Sequence, residues 1–256
     1  MTDDDHKQLK PRADNLPAAL QRSKQLLALN AAIRARTRAL ATADDGWFER
    51  LCAWADEFDI PEEELPRDKT ELLVLQELRL SWKQLTTLPA AIGQLDNLQK
   101  LNLWSNQLTA LPAAISQLGN LQELDLGYNQ LTTLPAAISQ LDNLQILDLS
   151  DNQLTALPAT IGQLGNLQIL DLSDNQLIAL PATIGQLGDL QILDLSDNQL
   201  TTLPDAIGQF SNLQTLYLIG NPLATLPASL KRLYRKRDGV LRIYLDDESL
   251  LEDNDD

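Results

Sequence analysis

The sequence of 256 residues has very few of the side chains on which most enzyme and metal sites depend. It contains one histidine, His6, and one cysteine, Cys52. One cysteine excludes an internal disulfide and a thiolate metal cluster, and it is typical of a reducing compartment. A single histidine, in a segment expected to be disordered, cannot supply a catalytic triad, a histidine-ligated metal site or a general base.

Glycine-rich phosphate-binding motifs are missing as well. Neither G-x-x-x-x-G-K-[ST] nor G-x-G-x-x-G occurs, and Gly162, Gly185 and Gly208 recur every twenty-three residues, which indicates a structural role. We interpret Cys52 as a packed thiol on a helix, with a nucleophile as the alternative. The sequence therefore predicts no enzyme, no cofactor and no metal.

Long apolar runs are also missing, and we expect no Sec-type signal peptide. The amino terminus, MTDDDHKQLK, is acidic and polar. No run approaches the ~18 apolar residues that would span a membrane. We expect a soluble protein that stays in the cytoplasm, or one that is exported by a route other than Sec.

Positive charge is absent from the middle of the chain. Between Leu101 and Leu230 there is no Lys or Arg, whereas eleven Asp and Glu occur, and the formal net charge is −16. A nucleic-acid partner would require a basic face. We therefore expect no nucleic-acid partner, and, with no spanning segment, no membrane partner.

Leucine at fixed intervals is what the sequence has in abundance. Residues 144–166 and 167–189 differ at two places, Thr155 against Ile178 and Asn166 against Asp189. Seven copies of twenty-three residues begin at Leu75, Leu98, Leu121, Leu144, Leu167, Leu190 and Leu213. With that leucine as position 1, positions 1, 4, 6, 11, 14, 18 and 21 all hold Leu or Ile except Phe210.

Each copy predicts a strand, a turn and a short helical return. The L-x-x-L-x-L opening alternates with period two, as in a strand. The proline at position 15 lacks an N–H and favours the first residue of a short helix or 3₁₀ turn. Stacked copies would bury their leucines, and the asparagine at position 9 would bind backbone groups of adjoining copies. Lys83 replaces this asparagine in the first copy.

The pattern L-x-x-L-x-L-x-x-N-x-L followed by x-x-L-P-x-x-I resembles the leucine-rich repeat, in the twenty-three-residue form common in bacterial and Ras-suppressor-like proteins. The resemblance covers about residues 65–233. It implies an α/β fold: a right-handed leucine-rich-repeat solenoid with a concave parallel sheet, a helical N-terminal cap and a C-terminal helix and strand cap. It also implies that another protein binds to the concave side.

An open stack exposes its core, so both ends need covers. We divide the chain into a disordered tail (1–14), a helical N-terminal cap (15–74), seven repeats (75–233), a C-terminal cap (234–248) and an acidic tail (249–256). The cap contains a helix to about Leu40 and a second one that starts at Asp44 or Asp45. Near the other end, Lys231–Arg237 is interpreted as a capping helix whose cations lie beside carboxylates of the tail, and 240–245 as a final strand. Phosphate or membrane contact by this basic patch is the alternative.

Carboxylates form two columns on or beside the concave face. Position 5 holds Asp125, Asp148, Asp171 and Asp194, and position 8 holds Asp151, Asp174 and Asp197. Like charges at one strand spacing should raise one another's pKa. We favour a solvated face typical of the family. A specific acidic docking strip, and carboxylate catalysis or calcium binding, are the alternatives.

The two flanks of the array are less regular. The first repeats place Arg79, Trp82, Lys100, Trp104, Glu123 and Tyr128 on or near the concave face, and late in the array Tyr217 and Ile219 replace Asp and Ser. Exposed Trp and Tyr are enriched at binding hot spots. Packing of Trp82 and Trp104 on the N-terminal cap is the competing explanation.

The sequence therefore predicts a protein–protein interaction module whose partner, a protein that could have a basic surface, binds on the concave face. The expected partner-binding residues are Arg79, Trp82, Lys100, Trp104, Tyr128, Asp148, Asp151, Asp171, Asp174, Asp194, Asp197, Tyr217 and Ile219. A secreted bacterial effector that binds a host protein is the alternative, and a carboxylate-dependent hydrolase is a further one. The partner's identity and the oligomeric state stay open.

Overall fold

The computed structural model describes residues 46–237 and 239–252. The chain divides into two compact units, residues 1–44 and 45–256, and the described residues lie in the second. The tail expected at 1–14 and the first cap helix, to about residue 40, fall outside them. One parallel sheet contains eight strands in chain order: β1 Glu77–Arg79, β2 Lys100–Asn102, β3 Glu123–Asp125, β4 Ile146–Asp148, β5 Ile169–Asp171, β6 Ile192–Asp194, β7 Thr215–Tyr217 and β8 Arg242–Tyr244.

Strand pairing follows the repeat, since Leu78 pairs with Leu101 and Leu101 with Leu124. Short 3₁₀ segments return the chain in the first six repeats: Ala90–Gln94, Ala113–Gln117, Ala136–Gln140, Ala159–Gln163, Ala182–Gln186 and Asp205–Gln209. A helical return is wider than the ~4.7–4.9 Å between neighbouring strands, so the sheet lies on the concave side of the stack. The predicted α/β leucine-rich-repeat solenoid is confirmed.

Each proline precedes the 3₁₀ segment, whereas we predicted that it would be the first residue of that segment. Pro158 has an extended backbone (φ −64°, ψ 141°) and caps the 3₁₀ segment that begins at Ala159. Its carbonyl oxygen accepts a hydrogen bond from Ile161 N at 2.9 Å. Proline fixes φ but leaves ψ free, so it can stop the preceding loop and still accept the first bond of the turn.

The repeated leucines form one continuous core. The apolar residues at the seven repeat positions are buried, except for Leu75, Leu223 and Leu233, which are partly buried and pack against the core near its ends. Each coil buries its leucines against its neighbours, because a strand of three residues and a single 3₁₀ turn cannot enclose them alone.

The asparagines at position 9 close each coil and join it to its neighbours. Asn175 Oδ1 accepts from Leu154 N at 2.9 Å, and its Nδ2 donates to the carbonyls of Leu149 (2.9 Å) and Leu172 (3.2 Å). The same pattern recurs for the other members of the column, Asn106, Asn129, Asn152, Asn198 and Asn221. In the first repeat Lys83 takes this position, and its Nζ lies 2.7 Å from Glu64 Oε1 of the preceding segment.

The amino-terminal cover within the described residues consists of α1 (Trp47–Glu57) and α2 (Lys69–Leu72). Helix α1 starts after Gly46 and not at Asp44 or Asp45. It buries Trp47, Leu51, Trp54 and Ala55, and Trp54 Nε1 donates to the Thr87 carbonyl at 3.0 Å. This hydrogen bond ties the cover to the first repeat.

The carboxy-terminal cover begins inside the seventh repeat. Helix α3 (Ala228–Lys236) replaces the 3₁₀ return, and Thr215 of β7 therefore pairs with Arg242, twenty-seven residues later. The boundary that we drew between residues 233 and 234 falls within this helix. Lys231 Nζ donates to the Glu252 carbonyl, and the guanidinium of Arg237, the residue after the helix, donates to the Ser211 and Leu213 carbonyls. Residues Glu248–Leu251, which we assigned mainly to the acidic tail, form a 3₁₀ turn.

We predict that Asn175→Ala destabilises the solenoid by ~1–3 kcal/mol or more. The Leu154 amide and the carbonyls that accept from Asn175 would each lose their hydrogen-bond partner inside the core. Urea unfolding followed by circular dichroism measures the change. Asn166→Ala is the matched control, since Asn166 is exposed and donates one hydrogen bond, to the Asp142 carbonyl. Equal unfolding midpoints for the two variants would contradict the structural role of the column.

Candidate functional site: the concave face and its adjoining loops

The aspartates at position 5 end four strands, β3 to β6. Asp148 Oδ1 accepts from Ser150 N at 2.9 Å and from Ser150 Oγ at 2.6 Å. Asp171 binds Ser173 in the same way, and Asp194 Oδ1 accepts from Ser196 N. This Asx turn satisfies the second amide beyond the strand, while the first, at Leu149, donates to the Asp171 carbonyl of the next coil. The Asp-x-Ser spacing that produces it is visible in the sequence, but our sequence reasoning considered only the charge.

These carboxylates are half-buried, contrary to the well-solvated face that we expected. Burial raises the pKa of Asp125 to about 6, although the hydrogen bond from Gly127 N lowers it. The negative charge of Asp148 raises this pKa further. Burial also raises the pKa of Asp171, and the charges of Asp148 and Asp194 make smaller contributions. Desolvation is therefore the main cause, and the like-charge repulsion that we predicted is the lesser one.

Position 8 has a left-handed backbone in every repeat. The φ values are 51° to 52° at Asp151, Asp174 and Asp197, 54° at Tyr128, 62° at Trp82 and 72° at Gly220. Asp is one of the few residues other than Gly and Asn that tolerate this region. The second acidic column thus has a local backbone explanation that is independent of any partner, whereas Trp82 and Tyr128 occupy a conformation that bulky residues seldom adopt.

Three aromatic side chains contact one another in series across the first three repeats; we call them the aromatic ladder (Trp82, Trp104, Tyr128). The ring centroids of Trp82 and Trp104 are 4.8 Å apart, and those of Trp104 and Tyr128 are 5.1 Å apart, both edge to face. Trp82 is 69% exposed and Tyr128 is 52% exposed. The described cap aromatics pair among themselves, Trp47 with Phe48 and Trp54 with Phe58.

Gly127 makes room for the aromatic ladder. A Cβ at this position would lie 2.8 Å from Trp104 Cδ1, 3.0 Å from Ser150 Oγ and 3.2 Å from Asp148 Oδ1. The equivalent place in the next three repeats is Ser150, Ser173 and Ser196, so a serine here would displace the indole. Our sequence reasoning missed this residue, although the departure from serine was a readable signal.

The predicted basic residues of the first strands are paired on the sheet. Arg79 Nε lies 2.7 Å from Glu77 Oε1, and Lys100 Nζ lies 2.5 Å from Glu123 Oε1. Both pairs are exposed, so each contributes little to stability. They line an open depression of about 420 Å³ on the sheet, together with Asn102, Asp125, Ile146 and Asp148.

The predicted residues of the last repeats form a separate patch. The ring of Tyr217 stacks on Tyr244 of β8, with centroids 4.7 Å apart and an interplanar angle of 12°. Ile219 is exposed on the loop that follows. Because Tyr217 is on β7 and Trp104 follows β2, the structure brings neither Tyr217 nor Ile219 to the aromatic ladder.

Between the two patches lies an apolar stripe that the sequence reasoning did not single out. Ile146, Ile169 and Ile192 are aligned at position 3 of adjacent strands and are half-buried on the exposed side of the sheet. Their alternation with the buried leucine at position 4 could have placed them there. The stripe continues the concave face between the ladder and Tyr217.

The described residues offer little for metal or covalent chemistry. Among them, no group of three His, Cys, Asp or Glu side chains is arranged to hold a metal ion. Within the same residues no helix is long and apolar enough to cross a membrane. Burial raises the pKa of the Cys52 thiol, which disfavours the thiolate form that a nucleophile requires.

We predict that Asp171→Asn raises the melting temperature at pH 7. Burial raises the pKa of Asp171 in the folded chain, so stability falls as the pH rises through that value, and an uncharged side chain avoids this loss. The gain should shrink as the pH is lowered toward ~4, where the unfolded carboxyl also takes up its proton. Thermal melts by circular dichroism between these pH values test the prediction.

The structure contains a precedent for this variant. Asn102 occupies the same position in the second repeat, where its Oδ1 accepts from Trp104 N and its Nδ2 donates to Asp125 Oδ2 at 2.8 Å. Asp142→Asn serves as the control, because Asp142 is exposed on the loop before β4. A gain at Asp171 that is the same at every pH, or a loss at pH 7, would show that the carboxylate is not disfavoured in the fold.

Comparison with known proteins identifies the repeat. The leucine rich repeat family model matches residues 74–131, 96–154, 120–177 and 165–223, which together cover more than half of the chain. A comparison with curated proteins gives no match. A solved structure of a leucine-rich repeat protein from Leptospira interrogans is 44% identical with a TM-score of 0.64, covering 68% of this chain and 43% of that one.

Two plant receptors are similar over a comparable stretch. The ectodomain of the Arabidopsis thaliana receptor kinase GASSHO1/SCHENGEN3, solved with CASPARIAN STRIP INTEGRITY FACTOR 2, is 36% identical with a TM-score of 0.53, covering 62% of this chain and 19% of that one. The plant peptide hormone receptor RGFR1, solved with RGF2, is 30% identical with a TM-score of 0.51, covering 67% and 32%. The chain thus spans less than half the length of each of these three proteins. On the family match and the fold together, the chain belongs to the leucine-rich repeat family.

Proposed function

We propose that the chain is a protein-binding module that holds its partner against the concave face and the loops that adjoin it. The observation that carries this proposal is the aromatic ladder. Trp82 and Tyr128 expose large apolar surfaces to water at a place where the backbone disfavours bulky residues. The edge-to-face contacts within the ladder contribute to stability, but they do not require rings that are this exposed. Trp and Tyr are among the side chains most enriched at binding hot spots.

The solenoid offers this surface in a preformed state. Backbone hydrogen bonds join every loop to the next, for example Trp82 N to the Trp104 carbonyl (3.1 Å) and Tyr128 N to the Ser150 carbonyl (2.9 Å). A rigid surface loses little conformational entropy when a partner binds. The aromatic ladder can therefore serve as an anchor without further ordering of this chain.

The similar plant receptors support a protein partner, because both were solved as complexes, with CASPARIAN STRIP INTEGRITY FACTOR 2 and with RGF2. For the present chain the acidic columns suggest a partner with basic character. Complementary charge would steer such a partner to the face and accelerate association.

The position 5 carboxylates do not favour the hydrolase alternative. A general acid and a general base need environments that push their pKa values apart. Asp148 and Asp171 instead make the same hydrogen bonds in equivalent repeats. Their arrangement is that of a repeated turn and not that of a differentiated pair.

We predict that Trp104→Ala weakens binding of peptides selected against the full-length chain from a display library by at least ~10-fold, since truncation of a hot-spot aromatic costs ~2 kcal/mol or more. Isothermal titration of individual peptides measures the affinity. Gln163→Ala is the control, because Gln163 is exposed on a 3₁₀ return, away from the sheet. Selected peptides that bind Trp104→Ala as tightly as the unchanged chain would refute the assignment of the concave face.

We also predict that the affinity of a selected basic peptide falls when salt is raised from low concentration to ~0.5 M, because screening shortens the reach of the acidic columns. In the same titrations Asp171→Ala should weaken binding less than Trp104→Ala, since one of several similar charges is easier to replace than the central aromatic contact. Salt-independent affinity, or a larger effect at Asp171, would disprove the proposed division between anchor and steering charge.

A further inference from the structure

We propose that the partner presents an extended, arginine-containing segment, and that a guanidinium group of this segment lies between the aromatic ladder and the carboxylates of the next repeats. This inference rests on the proposed function and names the chemistry that the same surface would recognise. The distinguishing feature is that aromatic rings and carboxylates meet at one place on the concave face.

The meeting point is at Gly127. The Trp104 ring and the Asp148 carboxylate both approach to about 3 Å of the place where a side chain at Gly127 would begin, so they flank the same point. On the adjoining loop, Tyr128 is followed in the same column by Asp151, and the charge of Asp151 is the main cause that raises the pKa of the Tyr128 hydroxyl. Two aromatic residues are therefore followed by acidic ones over three neighbouring repeats.

At this junction each carboxylate uses one of its two oxygens in the turn. Oδ1 of Asp148 and of Asp171 is occupied by the turn serine, while no donor within the described residues bonds to their Oδ2. Arg79 and Lys100, the cations at this end of the sheet, are already paired with Glu77 and Glu123. No Lys or Arg occurs between Leu101 and Leu230, so the partner would have to bring the positive charge.

The ring geometry favours a cation over a sugar. The interplanar angles of 79° and 62° in the aromatic ladder leave no coplanar platform on which the broad face of a pyranose chair could stack across two rings. They do leave ring faces open at an angle to one another. A planar guanidinium can lie on one such face and still direct N–H groups toward a carboxylate, which an ammonium group does less well.

The spacing suits an extended segment. Five residues of extended chain place the first and fifth side chains on one side, about 13–14 Å apart, and this is close to three strand spacings. A segment that runs across the strands can therefore place one arginine at the aromatic ladder and another over the position 5 column near Asp171.

The test uses three labelled peptides on the full-length chain at ~0.15 M salt: Gly-Arg-Gly-Arg-Gly-Arg-Gly, its lysine counterpart of equal charge, and its citrulline counterpart of similar shape without charge. Fluorescence anisotropy should show that the arginine peptide binds about 5- to 10-fold more tightly than the lysine peptide. The citrulline peptide should bind more weakly than either, because it cannot pair with the carboxylates.

Two variants locate the effect. Trp104→Leu and Trp82→Asn should each weaken the arginine peptide by about 5- to 10-fold and bring it to the level of the lysine peptide. Asparagine suits the left-handed backbone at Trp82, so this variant keeps the fold even if the half-buried Trp104 is more sensitive. Gln163→Ala should leave all three affinities unchanged, and thermal melts verify that each variant is folded.

Equal affinity for the arginine and lysine peptides, unaffected by either tryptophan variant, would overturn the inference, because it indicates charge attraction alone. Binding of a β-1,4-glucan hexasaccharide that is lost in Trp104→Leu, without binding of the arginine peptide, would overturn it in favour of a sugar. Library-selected peptides that need Trp104 but contain no arginine would overturn it while the proposed function stands. If no selected peptide depended on Trp104 for binding, both the proposed function and this inference would be refuted.

Discussion

The fold depends on one repeated interaction, in which a buried asparagine carboxamide joins two adjacent coils. A coil of twenty-three residues with a three-residue strand leaves most of its turn backbone without partners. Asn175 satisfies an amide and a carbonyl of the coil before it and a carbonyl of its own coil. Because buried backbone groups without partners are costly, this residue fixes both the path of the turn and the distance to the next turn. The leucine columns supply most of the buried apolar surface, but the carboxamides determine how each coil is aligned with the coil before it.

The needs of the turn backbone also explain much of the acidic face. Asp at position 5 accepts a hydrogen bond from the amide two residues further on, and Asp at position 8 adopts a left-handed backbone. Both roles would be filled in a protein that bound nothing. The aromatic ladder differs, because Trp82 and Tyr128 satisfy neither role and the backbone at position 8 disfavours them. Function on this surface is therefore better sought where local structure gives no reason for the residue present.

The sequence was sufficient to predict the repeat, the strand and return of each coil, and the asparagine column, because each follows from a period that seven copies repeat. It was also sufficient to point to Trp82, Trp104 and Tyr128 as irregular residues. It did not show that their rings contact one another or that Gly127 gives Trp104 its place, since both depend on the stacking of adjacent coils. The sequence led us to assign the prolines to the first helical position, whereas they occupy the cap position before it. The fixed φ of proline is compatible with both positions, and only ψ, which the sequence does not determine, distinguishes them. The burial of the position 5 carboxylates was missed for a similar reason, as their depth depends on neighbouring strands.

The near-identity of the central coils has a consequence for how such a surface can change. Residues 144–166 and 167–189 present almost the same interface to either neighbour, so one such coil could be gained or lost without disturbing the packing on its two sides. Each event would move the stacked tyrosines at the far end by one strand spacing, ~4.7–4.9 Å, relative to the tryptophans at the near end. Genetic duplication could thus adjust the separation of the two aromatic patches in uniform increments and match it to partners of different length.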